Sequence, residues 1–135
     1  MKTKLAIVCA ALAGLSVGIP GGIAGGIAIR AQQAKTPPGY VIAEVNITDL
    51  STFEKYGEQV PGTLAPFNHH YVVRGNKYQS LEGEPPTGGV VIIAFDSVEK
   101  AREWYYSPAY AAIRPIRQSS AKSRIYIVEG LAATP

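Results

Sequence analysis

Beyond Cys9 the chain contains no cysteine, so its folded part can form neither a disulfide nor a thiol nucleophile. Histidine is almost as scarce, limited to the adjacent pair His69 and His70. Neighbouring side chains on a strand point to opposite faces, so these two do not readily chelate one ion, and zinc wants about four ligands. Haem would need an axial histidine in an apolar pocket. The sequence therefore implies no metal and no cofactor. A G-x-S-x-G elbow around Ser107 is missing too, and Gly75, Gly83, Gly88 and Gly89 form no phosphate loop. Ser107 ahead of Pro108 reads as a helix cap, and the glycines as turns.

Net charge is also absent from the part that folds. The chain has 13 basic and 10 acidic residues, but Lys2, Lys4 and Arg30 all lie in the first thirty positions. From Ala31 onward ten basic residues face ten acidic ones, which leaves no overall basic footprint for nucleic acid. Lys2 and Lys4 precede an uncharged run from Leu5 to Ile29, the layout of an export signal. That run is long enough to span a bilayer, so a retained anchor is the alternative to a cleaved signal. Its glycines (Gly14, Gly18, Gly21, Gly22, Gly25, Gly26) and Pro20 weaken it as a helix. Residues 1–31 are expected to be a signal peptide or N-terminal membrane anchor. The protein is then periplasmic or secreted, and touches membrane only through residues 5–29 if they are kept.

What remains, in a chain of 135 residues, is one domain. A Pro-rich linker spans 32–39, and the domain runs from 40 to 131. YVIAEVNI (40–47) alternates as a strand, with Val41, Ala43, Val45 and Ile47 on one face and Ile42, Glu44 and Asn46 on the other. Asp49 is a helix cap, with Ser51 and Glu54 as a competing capping box. Phe53, Tyr56, Gly57, Val60 and Leu64 follow at helical spacing, and Pro61-Gly62 is expected to end or kink that helix. HHYVVRG (69–75) and GVVIIAF (89–95) are the second and third strands. Ser97 caps a further helix, Ser107-Pro108 restarts one, and Pro115 is expected to interrupt it. SRIYIVEG (123–130) is the fourth strand.

The order β-α-β-β-α-β defines an α+β, ferredoxin-like sandwich. Strands such as VVIIAF are apolar on both sides, which calls for cover on both faces of the sheet. The simplest cover is a second copy, sheet against sheet, in a homodimer.

The segments LAPF (64–67), YVVRG (71–75), LEG (81–83), VVIIAF (90–95), A-R-WY-SPAY (101–110) and IR-IR (113–117) resemble the domain of unknown function 1330 family, within the dimeric α/β-barrel superfamily. The resemblance covers residues 40–131 and implies the fold and a homodimer. It implies no activity. The chain departs from the family at Asn68-His69, where glycines are usual, and at Ala94, where an acid is common.

The polar residues of interest are Glu44, His70, Arg74, Tyr105, Tyr110, Arg114 and Arg117. Glu44 lies opposite the helix-facing residues of its strand, where a carboxylate is costly unless paired, and Arg74 is the first choice of partner. Arg114 and Arg117, one turn apart, could hold a carboxylate ligand. A salt-bridge network, a ligand site and proton-transfer catalysis all remain open for this set. The tyrosines and Trp104 fit core and dimer packing. The functional expectation is an exported small homodimeric domain of unassigned activity, with a small organic molecule as its candidate ligand. The alternative is a cofactor-free oxygenase- or isomerase-like enzyme, drawn from similar folds alone.

Overall fold

The computed structural model describes residues 35–133. The leader (residues 1–31, with Cys9) and residues 32–34 of the linker lie outside them. Strand β1 (Gly39–Ile47) leads into helix α1 (Leu50–Leu64), then strands β2 (His69–Gly75) and β3 (Gly89–Phe95). Helices α2 (Val98–Tyr105) and α3 (Pro108–Ser120) return the chain to strand β4 (Ala121–Glu129). The sheet order is β2-β3-β1-β4, with every neighbouring pair antiparallel. This is the ferredoxin-like arrangement expected from the sequence.

Local chemistry starts each helix where the sequence places it. Asp49 accepts from the Thr52 amide, Ser97 from the Lys100 amide and Ser107 from the Tyr110 amide, so three otherwise unpaired helix-start N–H groups are satisfied. The Ser51–Glu54 capping box does not form, since Ser51 already lies inside α1.

Both prolines expected to break helices sit inside them. Pro61 lies within α1, and the ladder resumes when the Ala65 amide donates to the Pro61 carbonyl at 3.1 Å. Pro115 lies within α3, where Ser120 Oγ donates to the Ile116 carbonyl at 2.6 Å. The physical reason is burial on either side of each proline. Val60 and Leu64 are buried around Pro61, and Tyr110 and Ile113 just ahead of Pro115. A missing backbone bond costs about 3 kcal/mol, and burying several apolar side chains at about 1.5–3 kcal/mol each outweighs it.

The core lies between the helices and one sheet face. Val41, Ile93 and Phe95 from the sheet meet Leu64, Trp104, Tyr110 and Ile113 from the helices. Trp104 anchors it: its ring stacks on Phe95 at 5.5 Å, approaches Tyr110 at 4.3 Å, and donates from Nε1 to Thr63 Oγ1 at 3.0 Å. The opposite sheet face leaves Val73, Tyr126 and Val128 about 40% exposed.

One irregularity decides what faces the helices. Opposite β3, the register of β2 shifts between Tyr71 and Val73, a β-bulge at Val72. Tyr71 pairs with Ile93 and Arg74 with Val91, both on the helix side. In a regular strand, residues three apart would point to opposite faces. The extra residue turns Arg74 inward beside Tyr71.

Candidate functional site

The two-layer packing leaves a cleft of about 120 Å³ between the sheet and helices α1 and α3. Its floor is the helix-facing alternation of β1 and β3, including Val41, Ala43, Val91 and Ile93. Trp104 and Phe53 add aromatic walls. Five polar side chains interrupt this apolar lining: Tyr56, Tyr71, Arg74, Tyr110 and Arg117.

Tyr56 of α1 and Tyr110 of α3 bring their hydroxyls to 3.0 Å. Tyr110 is 1% exposed. Burial, reinforced by the Tyr110 phenol, pushes the Tyr56 phenol far above its ordinary value, while the positive charge of Arg117 pulls weakly the other way. The Tyr56 phenol is therefore neutral at any physiological pH. One hydroxyl donates to the other, which leaves one O–H hydrogen uncommitted.

Arg117 is 5% exposed, and its buried Nε has no partner among the described residues. It also borders a shallow groove beside Tyr105 and Ser123, whose buried Oγ is likewise unpartnered. Arg74 sits further out, exposed, with its guanidinium 5.5 Å from the centre of the Tyr71 ring, within cation–π range.

Of the seven residues singled out from sequence, Arg74, Tyr110 and Arg117 converge on this cleft. Tyr105 lies behind it, packed on Tyr110 at 5.4 Å. Arg114 does not join Arg117: its guanidinium lies 5.0 Å over the Tyr105 ring. Residues three apart on a helix differ by about 60° in direction, and Tyr105 takes up Arg114 on that side. Glu44 and His70 lie on the opposite sheet face, where Glu44 sits directly across from Arg124 and His70 from Ala94.

The expected partnership of Glu44 with Arg74 is not formed. Arg124 Nη2 donates to both carboxylate oxygens of Glu44, at 2.8 and 2.9 Å, and Tyr126 Oη donates at 3.4 Å. The reason is register: β4 places Arg124 beside Glu44, while the bulge turns Arg74 to the other face. The bond to Glu44 holds the Arg124 guanidinium above its usual value. Within one chain the pair is more open than a buried one, with side chains 23% exposed for Glu44 and 73% for Arg124.

His69 and His70 separate as strand geometry requires. The His69 ring meets Phe67 O at 2.8 Å and packs against Tyr71 and Phe95, while His70 is exposed.

Tyr56, Tyr71 and Trp104 are cleft residues that the sequence reading assigned to packing or passed over. Tyr56 carried one signal, a hydroxyl in the apolar stripe of α1 where leucine would serve packing alone. The position of Tyr71 beside Arg74 depends on the bulge and had none.

A four-stranded antiparallel sheet with its helices on one face and a cleft between the layers defines a ferredoxin-like α+β domain. The model of the family described as Domain of unknown function (DUF1330) matches residues 38–131, and the chain belongs to that family. Among solved structures, the chain is similar to RPA0582, a protein of unknown function from Rhodopseudomonas palustris. That match has 19% identity and a TM-score of 0.59, covering 72% of this chain and 85% of that one. A methylated form of RPA0582 matches at 18% identity and a TM-score of 0.60, covering 71% of this chain and 82% of that one. The chain is also similar to SnoaB, a cofactor-independent oxygenase from Streptomyces nogalater, at 11% identity and a TM-score of 0.51. Here 74% of this chain and 99% of that one are covered. At these identities the likeness is one of fold. No curated protein matches the chain.

Proposed function

We propose that the protein is an exported homodimer that binds a small organic molecule in the cleft between the sheet and helices α1 and α3. The observation that carries this reading is a largely apolar cavity of about 120 Å³ with a few convergent polar groups, the usual build of a small-molecule site. A dry apolar cavity of about 150 Å³ accommodates benzene, so a ligand of about one ring suits this volume.

The homodimer reading is supported by the outer sheet face. Val73, Tyr126 and Val128 are exposed there, flanking the half-buried Ile42 and Ile92. A second copy is the simplest cover, and it would bury the Glu44–Arg124 pair. Export is supported by the Lys2/Lys4 leader and the balanced charge that follows it.

Cofactor-free oxygenation is the second reading, favoured by the fold likeness to SnoaB. No carboxylate or histidine lines the cleft among the described residues, so a conventional general base is missing there, and binding is the better-supported function.

Trp104 is the chain's one tryptophan and lines the cleft, so its emission reports occupancy directly. Phenol or benzyl alcohol titrated into residues 32–135 should change that emission saturably. All core residues and sheet pairings lie within 39–129, so this segment carries its own core. Ala43→Leu, which fills the cleft floor, should abolish the change. A linear, unsaturable response, or one unaltered in Ala43→Leu, would reject the site. Sedimentation of the same sample should give a dimer, and a well-folded monomer would reject the assembly. A C-terminal reporter that works only outside the cytoplasm should be active, and activity of a cytoplasm-restricted one would reject export.

A further inference from the structure

We infer that the cleft selects an organic carboxylate, held by the guanidinium of Arg117 at its buried side and met by Arg74 at its mouth. The inference rests on the cleft being a binding site and names what that site takes.

It follows from an account of donors and acceptors. Arg117 is 5% exposed, and its Nε–H has no acceptor among the described residues. A buried polar atom without a partner is rare in folded proteins and calls for an unseen water, ion or ligand. Most buried bases escape such a position by losing their proton, but arginine does not deprotonate in proteins. The positive charge is therefore permanent, and only an anion or a dipole can compensate it.

The cleft provides no internal anion. Its lining contains no aspartate, glutamate, asparagine, glutamine or histidine. The acid that could have served, Glu44, is held by Arg124 on the other sheet face. What the cleft does provide is further donors. The Tyr56–Tyr110 pair keeps one O–H free, and Tyr71 adds a third phenol. Arg74, turned inward by the bulge, adds a second permanent positive charge. A set with surplus donors, two positive charges and no negative one is complementary to a carboxylate, whose oxygens only accept.

The remaining walls restrict the rest of the molecule. Val41, Val91, Ile93 and Trp104 form an apolar surround, which favours a single ring or short hydrocarbon attached to the carboxylate. A free inorganic anion would leave these walls unfilled.

The test compares benzoate with benzamide, which share shape but not charge, on residues 32–135 at neutral pH, read by Trp104 emission. Wild type should bind benzoate at least about tenfold more tightly than benzamide, the scale of one lost charge-assisted contact. Arg117→Met should lose the preference for benzoate over benzamide. Arg74→Gln, a change at an exposed position, should keep the fold and reduce the preference severalfold. Inorganic phosphate should compete poorly with benzoate. Equal binding of benzoate and benzamide by wild type would overturn the carboxylate inference and leave the cleft reading standing. An undiminished benzoate preference in Arg117→Met would overturn it as well. Binding of neither probe would overturn the cleft reading itself, and this inference with it. The wild-type comparison stands without any variant folding.

Discussion

Removing the Tyr56 hydroxyl tests the cleft's polar centre most directly. Tyr56→Phe keeps the ring but leaves the hydroxyl of Tyr110, a residue 1% exposed, without its 3.0 Å partner. A buried polar group left unpaired costs about 1–3 kcal/mol. Tyr110→Phe instead strands the Tyr56 hydroxyl, which is half-buried and faces the open cleft. Water can reach it there, so the cost should fall to about 1 kcal/mol. The double variant removes both partners while preserving both rings, and such paired removal is nearly neutral. The two losses therefore should not add: the double variant should be more stable than their sum implies by about 2–4 kcal/mol. Urea unfolding of the four proteins at one fixed concentration measures this, the fixed concentration being needed if the chain is dimeric. A double variant whose loss equals the sum of the singles within about 0.5 kcal/mol would refute the shared bond. A second readout comes from phenol titration. Because burial and Tyr110 raise the Tyr56 phenol far above its ordinary value, wild type and Tyr56→Phe should release equal numbers of phenol protons through about pH 10.

Three further outcomes are expected. Thr63→Val deprives the Trp104 indole N–H of its acceptor at 3.0 Å and should cost about 1–3 kcal/mol, seen as a lower urea midpoint. Gly88→Ala would drive a Cβ into the Val45 carbonyl and should cost at least the 1–3 kcal/mol typical of overpacking, roughly, whereas Gly62→Ala, with open space around it, should not lower the thermal midpoint. Hydrogen bonding from Thr52 holds the Asp49 carboxyl below 3.8, so its contribution is complete above that value and is lost as pH falls through the folded one. Thermal midpoints measured from about pH 5 to about pH 3 should therefore fall less in Asp49→Asn than in wild type; Glu99, also lowered, keeps part of the loss in both.

The strands, the three helix caps and the β-α-β-β-α-β order were legible in the sequence because they rest on local causes. Alternation of Val41, Ala43 and Val45, and the Asp49, Ser97 and Ser107 caps, are set by side chains within a few residues of one another. Helices α1 and α3 continue through their prolines for the complementary reason: local chemistry opposes a helix at Pro61 and Pro115, and burial of Val60, Leu64, Tyr110 and Ile113 overrides it. The candidate site was half legible. Arg117 and Tyr110 lie on the predictable buried stripe of α3, but Arg74 reaches the cleft only through a bulge at Val72. No pattern in YVVRG announces that extra residue. Glu44 found Arg124, 80 residues away, because β4 pairs with β1 in one particular register. Sequence by itself determined which residues form strands and helices, since those choices follow from periodicity and capping. Tertiary structure alone decided which charges meet, because a one-residue shift in strand pairing exchanges the two faces of a sheet.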